Sequence, residues 1–387
     1  VLFRSGRVMY RFTDDEINFI CKYATDRAEA MSKERKGGIL IQDMHNIVEG
    51  ALEQVNPAVA KSYRDYRNYK VDFIHMMDEV YTKSQSIRYI GDKSNANTDS
   101  ALVATKRSLI FNELNKELYR KFFMNRNELQ ACKDGYIYIH DQSARLDTMN
   151  CCLFDVGSVL RGGFEMGNVW YNEPKTLDTA FDVMGDIILS TAAQQYGGFT
   201  VPEVDKILSP YAQKSYNKYY EEFLKYSDPS WEGREEKGRV YAWEKVCRDC
   251  DQGWQGIEYK LNTVGSSRGD YPFVTVTLGL GTGRFEKMIS KSLLKVHMGG
   301  QGKAGHKKPV LFPKIVFLYD EEIHGDGKEC EDVFETGVAC SAKTMYPDWL
   351  SMSGQGYISS MYKKYKKVIS PMGCRAFLSP WYERGGM

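Results

Sequence analysis

The feature that most constrains the fold is a pair of β-branched segments separated by a stretch long enough for a helix. Residues 272–278 and 314–319 carry the aliphatic and aromatic side chains typical of buried strands. Helices are predicted after each of them, over about 285–297 and 332–343. Strands that alternate with helices pair in parallel, because each helix returns the chain to the same edge of the sheet. The pattern predicts an α/β fold with a largely parallel sheet.

Helical periodicity covers much of the remaining chain. Thr13 precedes three acidic residues, which is typical of a helix N-cap, and helices are expected from there to residue 70. Further elements are expected over the following ranges: helices over about 100–124, 178–196, 201–226 and 242–262, and a buried strand over 149–156. We therefore predict a helical segment, residues 1–70, followed by an α/β domain, residues 71–387.

Charge and hydropathy argue against two classes of partner. The chain has 52 basic and 51 acidic residues, which does not favour nucleic acid, and the basic run 362–367 is expected to be a solvated helix end. No apolar stretch reaches the roughly 18–20 residues needed to span a bilayer, and no secretory signal is seen. A cytoplasmic protein is expected. Its nine cysteines are an odd number, and we expect them to be reduced thiols.

One cysteine lies in a loop whose backbone is restricted. Cys374 follows Pro371 and Gly373, and Pro380 comes six residues later, so a tight, non-repetitive loop is predicted. Apolar neighbours such as Met372 would bury it. A thiol on a rigid, dry loop suits one-electron sulfur chemistry, since burial disfavours the thiolate. From this pattern alone, a buried structural cysteine is the favoured interpretation.

A second candidate is the run Asn150-Cys151-Cys152. If it is a strand, successive side chains alternate faces, so Cys151 points away from Asn150 and Cys152. Strand ends commonly border the ligand crevice of α/β folds. On local evidence, two core cysteines are again the favoured interpretation.

Two other motifs imitate binding sites. Cys247 and Cys250 form a single CxxC inside a helical pattern, without the second pair that a zinc site requires, so a structural role is expected. The glycine-rich run 279–284 lies between a strand and a helix, but Arg284 occupies the position where a dinucleotide motif has its third glycine. Free N–H groups at this helix start could still bind a substrate phosphate.

Taken together, several segments resemble the catalytic large subunit of the anaerobic (class III, glycyl-radical) ribonucleotide reductases. The similar segments follow the order of that family from about residue 58 to the end: His140-Asp141, Asn150-Cys151, 162–168, 195–198, 272–275, 312–314, 342–348 and 371–375. The resemblance implies part of a ten-stranded α/β barrel with a finger loop. Residues 1–70 resemble the closing helices of an ATP-cone, a regulatory nucleotide-binding domain whose nucleotide-holding start would precede residue 1.

The resemblance also implies roles for particular residues. Cys374 would be the thiyl radical that removes hydrogen from the 3′ carbon of the ribose. Cys151 would face it across the sugar, protonate the departing 2′ hydroxyl and supply a reducing electron. Asn150 would hydrogen-bond the ribose hydroxyls. Met372 resembles the methionine of members that use formate as reductant, and three residues are assigned to substrate binding: His140, Gly373 and Arg375.

Cofactors and partners follow from the same resemblance. The full enzyme would carry a glycyl radical, installed by an activase with an iron–sulfur cluster and S-adenosylmethionine, and a structural zinc. Neither group has its motif in this chain, which is expected to be part of a longer protein, so no metal or cofactor site is predicted here. Ribonucleoside triphosphates, allosteric nucleotides, formate and a second copy of the chain are the expected partners.

Two alternatives remain. Another glycyl-radical enzyme, such as a formate-lyase-like acyltransferase, would place two adjacent cysteines on the finger, whereas this chain has only Cys374 there. A nucleotide-sensing regulator without catalysis would be built on the ATP-cone segment. It predicts that Cys374→Ser leaves deoxynucleotide production unchanged.

Overall fold

The computed structural model describes most of the chain in nine ranges, which are residues 2–5, 8–34, 38–89, 99, 101–145, 149–265, 269–373, 375 and 377. Cys374 therefore lies outside the described residues, as do the polar link at 91–98 and the segment after residue 377. The chain divides into two compact units, Val1–Ser86 and Ile87–Met387.

The first unit is a short hairpin followed by helices. Its elements are β1 (Leu2–Ser5), β2 (Val8–Arg11), α1 (Asp14–Glu34), α2 (Ile41–Val55) and α3 (Pro57–Tyr89). The predicted cap is confirmed: Glu16 N–H donates to Thr13 Oγ1 (3.3 Å), and the Glu16 carboxylate accepts from Thr13 N–H (2.8 Å). Helix α3 continues through residue 70, so the units divide later than the sequence indicated. The resemblance of this unit to an ATP-cone stays a prediction.

The second unit is an α/β domain. Its elements are α4 (Val103–Phe123), α5 (Arg126–Lys133), a 3₁₀ turn (Gln142–Ala144), β3 (Cys152–Leu153), α6 (Val156–Leu160), β4 (Phe164–Met166), β5 (Val169–Tyr171), α7 (Leu177–Ala193), β6 (Phe199–Val201), α8 (Val204–Tyr226), α9 (Arg234–Thr263), β7 (Val274–Leu278), α10 (Arg284–Gly299), β8 (Lys314–Tyr319), α11 (Glu321–His324), α12 (Glu331–Thr344), β9 (Asp348–Ser351) and α13 (Tyr357–Tyr365).

The core sheet has five strands in the order β3-β6-β7-β8-β9, all parallel. Val276 on β7 pairs with Val201 on one side and Ile315 on the other. The helices pack against this sheet around Trp254 and Phe317, both fully buried. The predicted α/β fold with parallel pairing is confirmed. Within the described residues the sheet has these five strands, so a ten-stranded barrel remains a proposal.

Two predicted elements are wrong at their boundaries. The expected helix 201–226 begins only at Val204, because Phe199–Val201 forms β6 between β3 and β7. All three residues of β6 are buried, so this short strand shows no alternation by which the sequence could reveal it. The expected strand 149–156 is reduced to Cys152–Leu153.

The glycine-rich run after β7 already binds an anion from the protein itself. The N–H groups of Gly279 and Gly281 donate to the buried Asp205 carboxylate at 3.0 and 3.3 Å. The N–H of Gly283 donates to Glu286 (2.8 Å). These three glycine amides are therefore occupied by the side chains of Asp205 and Glu286, which argues against a phosphate at the glycines, and the phosphate-site hypothesis for the helix start stays a prediction.

Asp205 is expected to be a large contributor to stability. Its Oδ2 also accepts from the Ser290 hydroxyl (3.2 Å), so Asp205→Ala would leave several buried donors without an acceptor. We expect the free energy of unfolding to fall by about 2–3 kcal/mol. Urea unfolding of Asp205→Ala measures this, with Glu222→Ala, an exposed carboxylate on the same helix, as the control. Equal midpoints for the two variants would contradict the prediction.

No helix in the described part of the chain is both long and apolar enough to cross a membrane.

Candidate active site

The candidate site lies where two chain segments run side by side before β3 and β6. Tyr196 N–H donates to Met149 O (3.0 Å), Gly197 N–H donates to Asn150 O, and Cys152 N–H donates to Gly198 O (3.1 Å). The parallel ladder of the two strands is thereby extended at their amino ends. The predicted site residues therefore lie at the amino end of β3, opposite the edge that the strand-end rule for α/β folds favours.

Cys151 and Asn150 both lie over Gly197. A Cβ on Gly197 would be 2.6 Å from Cys151 Sγ and 2.6 Å from Asn150 Oδ1, so these two side-chain atoms cover the same glycine. The expected alternation between them is wrong, because both residues precede the strand. The sulfur of Cys151 accepts a hydrogen bond from Gly198 N–H (3.2 Å). The backbone of Gly197 and Gly198 therefore contacts the thiol of Cys151.

Cys152 belongs to a different environment. Its thiol donates to Gln195 Oε1 (2.9 Å), and the Gln195 side chain is buried. Burial raises the pKa of Cys152 to about 11, with a smaller contribution from the neighbouring Cys151. The protonated form is therefore favoured at neutral pH, and the structure separates the two adjacent cysteines by their partners.

The raised pKa of Cys152 predicts how its alkylation depends on pH. Only the thiolate reacts, and for a pKa of about 11 the thiolate fraction rises about tenfold per pH unit through pH 10. The Cys152 adduct with iodoacetamide, followed by mass spectrometry, should therefore keep accelerating up to pH 10. In urea-unfolded protein the alkylation rate should level off once the pH passes the ordinary pKa of a cysteine, about 8.5. A plateau at that pH in the folded protein would argue against the prediction.

In the Cys374 loop, residues 370–377, the structure describes residues 370–373, 375 and 377, and the first four contact the same part of the sheet. Residues 369–373 are buried, and Pro371 O accepts from Thr200 Oγ1 on β6 (3.1 Å). A Cβ on Gly198 would lie 3.3 Å from Gly373 N, which places Gly373 directly against Gly198. Gly198 in turn donates to Cys151. Gly373, the residue before Cys374, therefore contacts the same glycine whose N–H donates to the sulfur of Cys151.

Arg375 is held by an acidic residue of the sheet. Its guanidinium donates from Nε to Asp348 Oδ2 (2.7 Å) and also from Nη2 to the same oxygen. Its N–H closes a turn on Met372 O (2.7 Å), and its φ of 62° lies in the left-handed region. Arg375 was assigned to substrate binding by resemblance. In the structure, its guanidinium ties the Cys374 loop to Asp348 on β9, a contact that the sequence did not reveal.

His140 is joined to Asn150 through Asp141. His140 Nδ1 lies 2.6 Å from Asp141 Oδ2, and Asn150 Nδ2 donates to the same oxygen at 3.5 Å. The His140 side chain is 74% exposed, and with Asp141 it borders a cavity of about 430 Å³ between α4 and residues 137–143. Asp141 has a φ of 54°, which aspartate tolerates better than most residues. Sequence analysis noted Asp141 only as the neighbour of His140.

The CxxC motif lies away from these residues, on α9. Cys250 is fully buried, and burial raises the pKa of both Cys247 and Cys250. These properties agree with the structural role expected for them. Among the described residues, no group of three or more His, Cys, Asp or Glu side chains could hold a metal ion.

Comparison with known proteins identifies the family. The family model described as anaerobic ribonucleoside-triphosphate reductase matches residues 94–387. Two similar relatives carry the same name: one from Haemophilus influenzae is 32% identical over 361 residues (90% of this chain, 48% of the relative), and one from Enterobacteria phage T4 is 36% identical over 296 residues (76% and 46%). The chain spans about half the length of these curated relatives.

A solved structure of the anaerobic ribonucleotide reductase from Thermotoga maritima, with citrate in its active site, is also similar. The match covers 89% of this chain and 56% of the Thermotoga maritima chain, with 14% identity and a TM-score of 0.44. The family assignment depends on the sequence matches. The chain belongs to the anaerobic ribonucleoside-triphosphate reductase family.

Proposed function

We propose that this chain is the part of an anaerobic reductase subunit that holds a ribonucleoside triphosphate during its reduction to the 2′-deoxynucleotide. One observation carries the proposal. Gly373, the described neighbour of Cys374, packs on Gly198, and the Gly198 N–H binds the sulfur of Cys151. Gly373, which precedes Cys374 in the chain, thus lies in the same small region of the sheet as Cys151, although the two are 222 positions apart in sequence.

In this proposal the two cysteines act on opposite sides of one ribose. Cys374, as a thiyl radical, takes the hydrogen atom from the 3′ carbon, becomes a thiol, and returns that hydrogen atom to the same carbon at the end of turnover. Cys151 donates a proton to the 2′ hydroxyl, which leaves as water, and also supplies a reducing electron. Formate, oxidised to carbon dioxide, provides the two electrons of the net reduction, so that Cys151 ends the cycle as a thiol. Asn150 hydrogen-bonds the ribose hydroxyls with its amide, which both donates and accepts. The contribution of the protein is to position these groups and exclude water.

Contacts in the structure support the assignment of the supporting residues. Asp141 orients the amide of Asn150 and the ring of His140, which we propose to face the nucleotide. Arg375 is held by Asp348, and its Nη1 donates to the carbonyls of Met372 and Gly373, so we propose that it serves substrate binding by shaping the Cys374 loop. Met372 is only 7% exposed beside Gly373, and we propose formate as the reductant because Met372 resembles the methionine of formate-using members of the family. Gly373 is buried against Gly198, so we propose that it serves substrate binding by letting the loop approach the sheet closely.

The remaining partners are proposals from family membership. A glycyl radical, installed by an iron–sulfur and S-adenosylmethionine activase, would generate the radical on Cys374. None of the described residues is proposed as a ligand of the zinc, because they contain no suitable group of donors. Allosteric nucleotides and a second copy of the chain complete the proposed assembly.

An anaerobic turnover assay tests the proposal. The full-length protein, activated by its activase, is expected to convert ribonucleoside triphosphates to deoxynucleotides and to oxidise one formate to carbon dioxide for each product. Product formed only with a reducing dithiol would overturn the formate assignment and leave the reductase assignment standing. No deoxynucleotide with either reductant would overturn the function itself.

A further inference from the structure

A phenylalanine ring limits how the Cys374 loop can pack. A Cβ on Gly373 would lie 2.5 Å from Phe273 Cδ1 and closer still to Cε1, far inside any real carbon–carbon contact. The φ of Gly373 is not in the left-handed region, so its backbone would accept an L-residue. The requirement for glycine at 373 therefore comes from the ring of Phe273.

The same ring also reaches Gly198. A Cβ on Gly198 would lie 3.4 Å from Phe273 Cδ1 and 3.4 Å from Gly373 Cα. Phe273, Gly198 and Gly373 thus pack against one another without any intervening side chain. Because Gly198 N–H also binds Cys151 Sγ, this packing links the loop to the second thiol.

Phe273 itself is held firmly. Its carbonyl accepts from Phe199 N–H (2.9 Å), which places its backbone at the start of the β6–β7 ladder. Its ring packs edge-on against the buried Phe312 at 5.2 Å, and the Lys314 ammonium lies 4.4 Å from the ring centroid. A ring with contacts on several sides cannot move aside at low cost, so the loop must adapt to it.

We propose that Phe273 is a positioning residue whose ring sets how deeply the Cys374 loop packs, with Gly373 as its size-matched partner. This inference rests on the proposed function, in which the loop must present Cys374 at a defined distance from Cys151. A displacement of about 1 Å can cost roughly a hundredfold in rate when two groups must act on one bound molecule. Neither residue needs to touch substrate for this effect.

A double-mutant cycle in the full-length enzyme tests the size match. Gly373→Ala alone is expected to lower kcat by about a hundredfold, with little change in KM, because the added methyl meets the ring and shifts the loop. Phe273→Val removes both ring atoms that face Gly373 and stays apolar. The double variant Phe273→Val/Gly373→Ala is expected to regain about tenfold of the lost kcat, which is a favourable coupling between the two sites.

The control is Phe285→Val/Gly373→Ala. The half-buried Phe285 ring on α10 packs on Tyr216 and Trp243 and not on Phe273, so this pair should show no recovery. Full turnover by Gly373→Ala, or no recovery in the Phe273 pair, would overturn the proposal. The proposal would also be overturned if the double variant Phe273→Val/Gly373→Ala regained its thermal unfolding midpoint but not its kcat, because the packing would then affect stability alone.

The cycle also separates this inference from the proposed function. If the wild-type enzyme makes no deoxynucleotide, the function fails, and the unfolding midpoints still report on the size match. They should fall in Gly373→Ala and recover in the double variant. Additive midpoints would then refute the match between Phe273 and Gly373.

Discussion

Cys151→Ala is expected to lower deoxynucleotide formation by the full-length enzyme by roughly 10²–10⁴-fold, the usual contribution of a positioned proton donor. The loss should be larger still if the same sulfur also supplies an electron. Alanine removes the sulfur to which Gly198 N–H donates, and the neighbouring thiol of Cys152 does not replace it, because Cys152 donates to Gln195 instead. Product formation under anaerobic single-turnover conditions measures the effect.

Cys152→Ala is the matched control, since it removes an adjacent thiol of the same size. This variant should lose the hydrogen bond to Gln195 and some stability, yet retain most of its turnover. Cys374→Ser should resemble Cys151→Ala in activity. Equal losses in the Cys151 and Cys152 variants, or wild-type turnover in Cys151→Ala, would refute the assignment of the acid to Cys151.

Gly197→Ala is expected to be about as damaging to turnover as Gly373→Ala. Its Cβ would lie 2.6 Å from both Cys151 Sγ and Asn150 Oδ1, and 2.7 Å from the Asn150 carbonyl. Relief requires the 149–151 segment to move by about 1 Å, for which we expect roughly a hundredfold loss of kcat. Steady-state kinetics with each ribonucleoside triphosphate checks the prediction.

Gly256→Ala provides the comparison for this variant. Gly256 lies within α9, and a Cβ there would meet nothing within 4 Å. Alanine in a helix interior is favoured over glycine by up to about 1 kcal/mol, so this variant should be as active as wild type and slightly more stable. The prediction for Gly197 fails if both variants retain the same kcat.

Much of the fold could be predicted because many of its strands and helices are indicated by the apolar residues within a single segment of the chain. Strand β8 was predicted at its observed bounds, Lys314–Tyr319, because it is long enough to display continuous apolar character. Helices α7, α10 and α12 were predicted from their apolar periodicity to within about three residues at each end. Helix α9 begins at Arg234, eight residues before the predicted start at residue 242. Strand β6 was missed because three fully buried residues contain no periodicity.

The candidate site could be predicted only in part. Cys151 and Asn150 were identified by resemblance, and the structure brings both onto Gly197. The alternation rule misplaced them relative to each other, because that rule applies within a strand and both residues precede one. Asp141 and Asp348 were missed as partners, since each makes its decisive contact with a residue that local pattern does not link to it.

The sequence by itself determined most of the helices, the longer strands and their parallel pairing, and the family to which the chain belongs. These features depend on which side chains are apolar and at what spacing they occur, and both can be read directly from the sequence. Only the tertiary structure decided that Asp205 occupies the glycine-rich run, that Asp348 holds Arg375, and that Phe273 leaves room for no side chain at 373. Each of these contacts joins residues at least 27 positions apart, and such pairs become neighbours only when the sheet assembles.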